Sequence, residues 1–180
     1  ILVTTKKNGI LDNKIVFTIA NKVIDILRSI PFIILMVLLI PLSRFIVGTG
    51  SGLQGSFVAL VFGTVPFFAR QIESVLSDVD KGLIEAADAM GFSKLEIIFS
   101  VYLKESIPGI TRVTMITFVS FIGITAIAGA IGAGGIGDFA VRYGYQMGYR
   151  DMIWLTVIVI LIMISIFQFI GNLIIKKTTH

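Results

Sequence analysis

Met152 to Ile175 reads MIWLTVIVILIMISIFQFIGNLII, and between Ile153 and Ile166 its only polar side chains are Thr156 and Ser165. A helix crossing a hydrocarbon core of about 30 Å needs roughly 20 residues at 1.5 Å each. This stretch meets that requirement without a charge, so the fold class is set here: all-α, and membrane-spanning. The whole chain agrees, because 56% of its 180 residues are hydrophobic and only 14% are charged. Mean hydropathy is +0.96, whereas a soluble domain carries about a quarter charged residues. An ordinary soluble enzyme and a disordered tail are both excluded. The chain has no Cys, which removes disulfides, thiolate metal sites and cysteine nucleophiles, and its one His is the last residue, His180.

Three further stretches qualify as spans: Ile30–Val47, interrupted by Pro31 and Pro41, then Phe57–Ile72 and Ile107–Ile131. Ile1-Leu2-Val3 before Thr-Thr-Lys-Lys reads as the last turn of an earlier span, so the chain is expected to be truncated within its first one. The expectation is a polytopic helix bundle of a single domain over residues 1–180, with four complete spans. Residues 10–28 are expected to form an amphipathic helix at the inner surface, with Ile15, Ile19, Val23 and Ile26 on one face.

The net charge of +4 resembles a nucleic-acid signal until its sources are placed. With residues 73–106 and the C-terminus on one side, that side collects Lys6, Lys7, Lys14, Lys22, Arg28, Arg70, Lys81, Lys94, Lys104, Arg112, Lys176 and Lys177. The other side keeps Arg44, Arg142 and Arg150. Cytoplasmic loops carry the excess of Lys and Arg, so the long loop and the C-terminus are expected inside the cell. Each basic residue then reads as a lipid-facing topology anchor, and no nucleic-acid partner is needed.

The inner loop has strong local signals. Ala-rich 83–90 favours a helix, Gly91 suits the left-handed position past its end, and Ser93 with Glu96 is a capping box that starts a second helix. Pro108 opens the next span, where its missing N–H costs nothing. The product is an elbow of helix, tight turn and helix. Ala86, Ala87 and Ala89 leave its backbone approachable, and Glu85 offers a carboxylate, which suits either a partner or a helix lying on the membrane surface.

Glu85-Ala86-Ala87, Gly91 and the later Ile107-Pro108-Gly109 resemble the EAA loop of ATP-binding-cassette importer permeases. Arg28-Ser29-Ile30-Pro31-Phe32, Gly132-Ala133-Gly134-Gly135-Ile136-Gly137 and Tyr143-Gly144-Tyr145-Gln146 look like the methionine-uptake permeases of that class. The resemblance implies the non-catalytic membrane subunit of a type I importer in a bacterial cytoplasmic membrane. Two copies would form the pathway, two cytoplasmic ATPase subunits would bind ATP and Mg, and an extracytoplasmic lipoprotein would deliver methionine or a similar amino acid. The elbow would be the coupling helix, with Glu85, Ala86, Ala87, Gly91 and Phe92 at the ATPase. Where the family commonly has a first proline, this chain has Lys104 in Leu103-Lys104-Glu105-Ser106-Ile107-Pro108-Gly109, which lets the second loop helix run further.

The run from Gly132 to Gly137 literally matches G-x-G-x-x-G, but that motif needs a preceding strand and a following helix. After an apolar helix it reads instead as a break near the outer end of the third span. Gly132, Gly134, Gly135 and Gly137 are candidates for an outer gate, or for a plain flexible loop. At about 100° per residue, Thr114, Thr117 and Thr125, with Thr111 and Phe121, share one face of that span. The stripe suits either a solute path or hydrogen bonds within the bilayer, and Gln168 and Asn172 read as packing contacts. No charge lies at the centre of any span, which disfavours a self-powered carrier or channel. No cluster of His, Cys or paired carboxylates lies at membrane depth to support a membrane enzyme.

Overall fold

In the computed structural model, residues 13–178 are described, and they contain helices and no strand. The Ile1-Leu2-Val3 turn, Lys6, Lys7, residues 10–12 and His180 lie outside the described residues. In chain order the elements are α1 (Lys14–Ser29), α2 (Phe32–Leu38), α3 (Ile40–Val47), α4 (Gly52–Ser77), α5 (Lys81–Ala89) and α6 (Lys94–Ile97). A wide π turn over Ile98–Tyr102 leads to α7 (Leu103–Glu105) and α8 (Ile107–Ala128). A second π turn (Gly129–Ala133), α9 (Gly135–Phe139), a third π turn (Ala140–Gln146) and α10 (Arg150–Thr178) complete the chain.

Among the described residues, three helical stretches are long and apolar enough to cross a bilayer: Gly52–Ser77, Ile107–Ala133 and Arg150–Thr178. At 1.5 Å per residue each is roughly 40 Å long. The stretch read as one span over 30–47 is built as two short helices meeting at Leu39. Pro41 explains the break, since it has no N–H for the carbonyl of Val37 and its ring crowds that carbonyl. The helical bonds resume on either side, from Leu39 N–H to Leu35 O and from Ser43 N–H to Leu39 O.

Close crossings fix which ends lie together. A Cβ on Gly109 of α8 would fall 2.5 Å from Val75 of α4, and one on Gly171 of α10 would fall against Met115 of α8. Phe118 and Phe167 stack with centroids 3.8 Å apart. The C-terminal ends of α4 and α10 therefore sit with the start of α8 and the elbow. At the other end Leu60, Ala128 and Ala133 form a small buried cluster, with Phe32, Met36, Phe121 and Ile124 packed on it. There Gly144 lies against Ile153. Arg70, Arg112, Lys176 and Lys177 thus gather at the elbow end, away from Arg142 and Arg150.

Arg70 is not a lipid-facing anchor. Its guanidinium donates to Asp25 (2.6 Å) and Asn21 (3.0 Å) of α1 and pairs with Glu73 one turn further along α4. This clamp holds α1 on α4 while Ile15, Ile19, Val23 and Ile26, the apolar face expected from the sequence, remain exposed. α10 exposes most of its apolar surface too, Trp154 and Phe169 among it, as a helix bathed in lipid or covered by another subunit does.

Candidate functional site

The elbow is built from two interlocking caps. Asp80 starts α5 by accepting the Gly82 N–H at 2.7 Å. At the far end the Phe92 N–H returns to Ala87 O (3.1 Å) and the Gly91 N–H to Asp88 O (2.9 Å), the two bonds of a Schellman motif. Gly91 carries the left-handed residue at φ +82°. Two residues on, Ser93 Oγ accepts the Glu96 N–H at 3.3 Å while the Glu96 carboxylate accepts the Ser93 N–H at 2.7 Å. The capping box read from sequence is therefore in place. The second helix continues from Lys94 through the π turn to Glu105, as the missing proline at Lys104 allows.

Burial divides the alanines. Ala87 is 2% exposed and lies inside the elbow with Ile97, so it holds the two helices together; Ala86 and Ala89 face outward. Glu85 is exposed and has no ion-pair or hydrogen-bond partner among the described residues. Phe92, which follows Gly91 at the bend, is exposed, together with Leu83, Met90, Leu95 and Phe99. Those four apolar residues were not singled out from the sequence. Their signal was available: large apolar side chains in a segment expected to be bathed in water.

Hydrogen bonds to the Glu96 carboxylate, first from the Ser93 hydroxyl group and then from the Ser93 backbone, hold its pKa below the usual carboxylate range. A depressed carboxylate stabilises the folded elbow above its ordinary pKa, and that contribution disappears as pH falls through the lowered value. Ser93→Ala should cost about 1 kcal/mol of local helix stability, read as reduced amide protection over 94–98. It should also blunt the loss of protection that the native elbow shows on acidification. Equal protection in both proteins at every pH would refute the role of the box.

The threonine stripe of α8 turns inward. Thr117 is buried, and Thr114, Phe121 and Thr125 are half-buried. Thr111, Thr114, Thr117 and Thr125 donate to Ile107 O, Ile110 O, Val113 O and Ile122 O of their own helix at 2.7–2.8 Å. Hydroxyls bonded back in this way bend a helix and leave little to offer a solute. The opposite face, with Arg112, Ile116, Gly123 and Ile127, is the exposed one. Gln168 and Asn172, read as packing contacts, line a cavity of about 510 Å³ with Arg112 and Ser120.

The glycine run ends the third span. Gly132 (φ +97°), Gly134 (φ +82°) and Gly135 (φ +82°) turn the chain back through left-handed conformations. That turn lays α9 along α8 so closely that Gly137 adjoins the carbonyl of Ala126. No group of three or more His, Asp or Glu able to hold a metal occurs among the described residues.

The family described as binding-protein-dependent transport system inner membrane component matches residues 8–179. The chain belongs to that family. This transport component is 41% identical to the probable D-methionine transport system permease protein of Vibrio cholerae, over 100% of this chain and 80% of that protein. It is 44% identical to the methionine import system permease protein of Bacillus subtilis, over 97% of this chain and 78% of that one. Among solved structures, a chain of the inward-facing MetNI methionine ABC transporter superposes with a TM-score of 0.91 at 38% identity. The match covers 99% of this chain and 83% of the other.

Proposed function

We propose that the transport component is the permease subunit of an ATP-driven importer that brings methionine, or a closely similar amino acid, into a bacterial cell. Two copies enclose the path, and two ATP-hydrolysing subunits sit beneath them and bind the ATP and Mg. An extracytoplasmic lipoprotein presents the solute. The elbow faces the cytoplasm, as does the C-terminus, and seats in a groove of the ATPase.

The observation that carries this reading is the elbow itself. A doubly capped bend exposes Phe92, Met90 and Leu95 and, on the same elbow, a Glu85 with no partner among the described residues. Exposed apolar surface of this kind marks a docking site. The similarity to methionine permeases over the full chain supplies the solute. Glu85 and Ala86 meet the partner, Ala87 and Gly91 fix the bend, and Phe92 adds apolar contact. ATP binding closes the ATPase dimer, brings the two elbows together and opens the path outward; hydrolysis restores the inward-facing state. Thr114, Thr117, Phe121 and Thr125 shape the helix that walls the path. Gly132, Gly134, Gly135 and Gly137 give the outer gate its tight turn.

Reconstitution into liposomes with the ATPase and the binding protein tests the proposal. Labelled methionine should accumulate only when ATP is supplied on the elbow side. Accumulation without nucleotide would identify a stand-alone carrier, and none with ATP would remove methionine as the solute.

A further inference from the structure

Two cavities meet at Ser120. One, of about 510 Å³, is lined by Arg112, Met115, Ile116, Val119, Gln168 and Asn172. The other, of about 240 Å³, is reached past Arg28, Phe32, Gly63 and Phe67. Ser120 lines both. Neither contains a carboxylate, and each contains a guanidinium that forms no ion pair or hydrogen bond among the described residues. Arg112 also opens onto a cavity at the root of the elbow with Asp78, Asp80 and Glu105, yet pairs with none of them.

Ser120 stands apart from its neighbours. Every threonine of α8 bonds back to its own helix, whereas among the described residues the Ser120 hydroxyl has no partner, and neither do Gln168 and Asn172. Ser120 lies 13 residues past Ile107, about 20 Å along the helix axis. An arginine near a helix end reaches water by snorkelling, but a serine at that depth does not. Polar groups without partners are costly against lipid, so this face is wet or occupied. Two unpaired guanidiniums, two free amides and an apolar wall from Met115, Ile116 and Val119 complement a small zwitterion with an apolar side chain.

The geometry points to a carboxylate-binding subsite on the open face of α8. Arg112 receives the solute's carboxylate, the oxygens of the Gln168 and Asn172 amides accept from its ammonium, Ser120 lies further along the same cavity, and Arg28 offers the next position along the groove. A guanidinium holds a carboxylate through two parallel charge-assisted bonds, which an ammonium does not reproduce. This assignment rests on the amino-acid importer reading above and adds where the amino acid is held.

Two measurements test it in the assembled complex with its ATPase. Arg112→Gln should lower kcat/KM for ATP-driven methionine uptake by about tenfold, the loss of one charge-assisted contact, while the complex still assembles. Arg112→Lys should recover part of the loss. Because the chain has no Cys, Ser120→Cys gives this subunit a single thiol for a small alkylating reagent. Methionine at millimolar concentration should slow its modification, and 3-(methylthio)propylamine, which lacks the carboxylate, should not. Wild-type uptake in Arg112→Gln, or equal effects of the two compounds on labelling, overturns the subsite. If wild-type complex moves no methionine, the solute assignment has failed instead. Thiol protection by other carboxylate-bearing amino acids, and not by their amines, would then still support the subsite.

Discussion

Gly137→Ala is expected to disrupt the end of the bundle opposite the elbow. A Cβ at Gly137 would fall 2.1 Å from the carbonyl oxygen of Ala126 and 2.7 Å from its Cα. These are backbone atoms of α8 and have no rotamer in which to retreat. Gly129 is placed reciprocally, its Cβ direction occupied by Asp138 N at 2.6 Å and Gly134 O at 2.8 Å. One added methyl must therefore push α9 off α8. Overpacking costs about 1–3 kcal/mol where neighbours can yield, and the upper part of that range applies between two backbones. Gly132→Ala is the comparison: it meets no atom within 4 Å and carries only left-handed strain, about 1–2 kcal/mol. Thermal unfolding of the detergent-purified complex should rank wild type above Gly132→Ala and both above Gly137→Ala. A Gly137→Ala protein as stable as wild type would show that α9 does not pack as described.

The second large effect belongs to the elbow. Gly91 has nothing within 4 Å of its Cβ direction, so the Cβ of Gly91→Val meets open space. It opposes only the left-handed backbone at φ +82°, where a β-branched residue is a strong outlier. The fold is expected to survive while the angle between α5 and α6 changes. Glu85 has no partner among the described residues, so Glu85→Lys likewise leaves the bundle intact and reports on what docks there. Losing one partner of a buried interfacial charge pair costs about 2–5 kcal/mol. Either substitution should therefore lower ATP-driven uptake by about tenfold or more, with ATP consumed out of proportion to the methionine moved. Normal uptake in both would end the coupling assignment.

Features set by near neighbours in sequence were legible before any coordinates. The span over 152–175 announces itself by unbroken apolarity, and it appears as Arg150–Thr178. The elbow was legible because its determinants are local: Gly91 alone suits its φ, and Ser93 and Glu96 cap each other three residues apart. What escaped depends on distance. Arg70 meets Asp25 and Asn21 across 45 and 49 residues, and no periodicity encodes that pairing. Helical spacing collected the threonines of α8 onto one face but could not say whether that face looked into the bundle or out of it. The same limit applies to Ala87, whose neighbours in the motif are open while it is buried. Pro41 was visible, but average hydropathy over 30–47 conceals the break at Leu39 that it enforces.

The Arg70 clamp gives the peripheral helix a mechanical role. It grips α1 about two turns before α4 ends, so under the proposed coupling a displacement applied at the bend is shared at once by the core strut and its outrigger. In that proposal load is divided between two members instead of twisting one, and less of the stroke is absorbed as elastic recoil before it reaches the opposite end of the bundle.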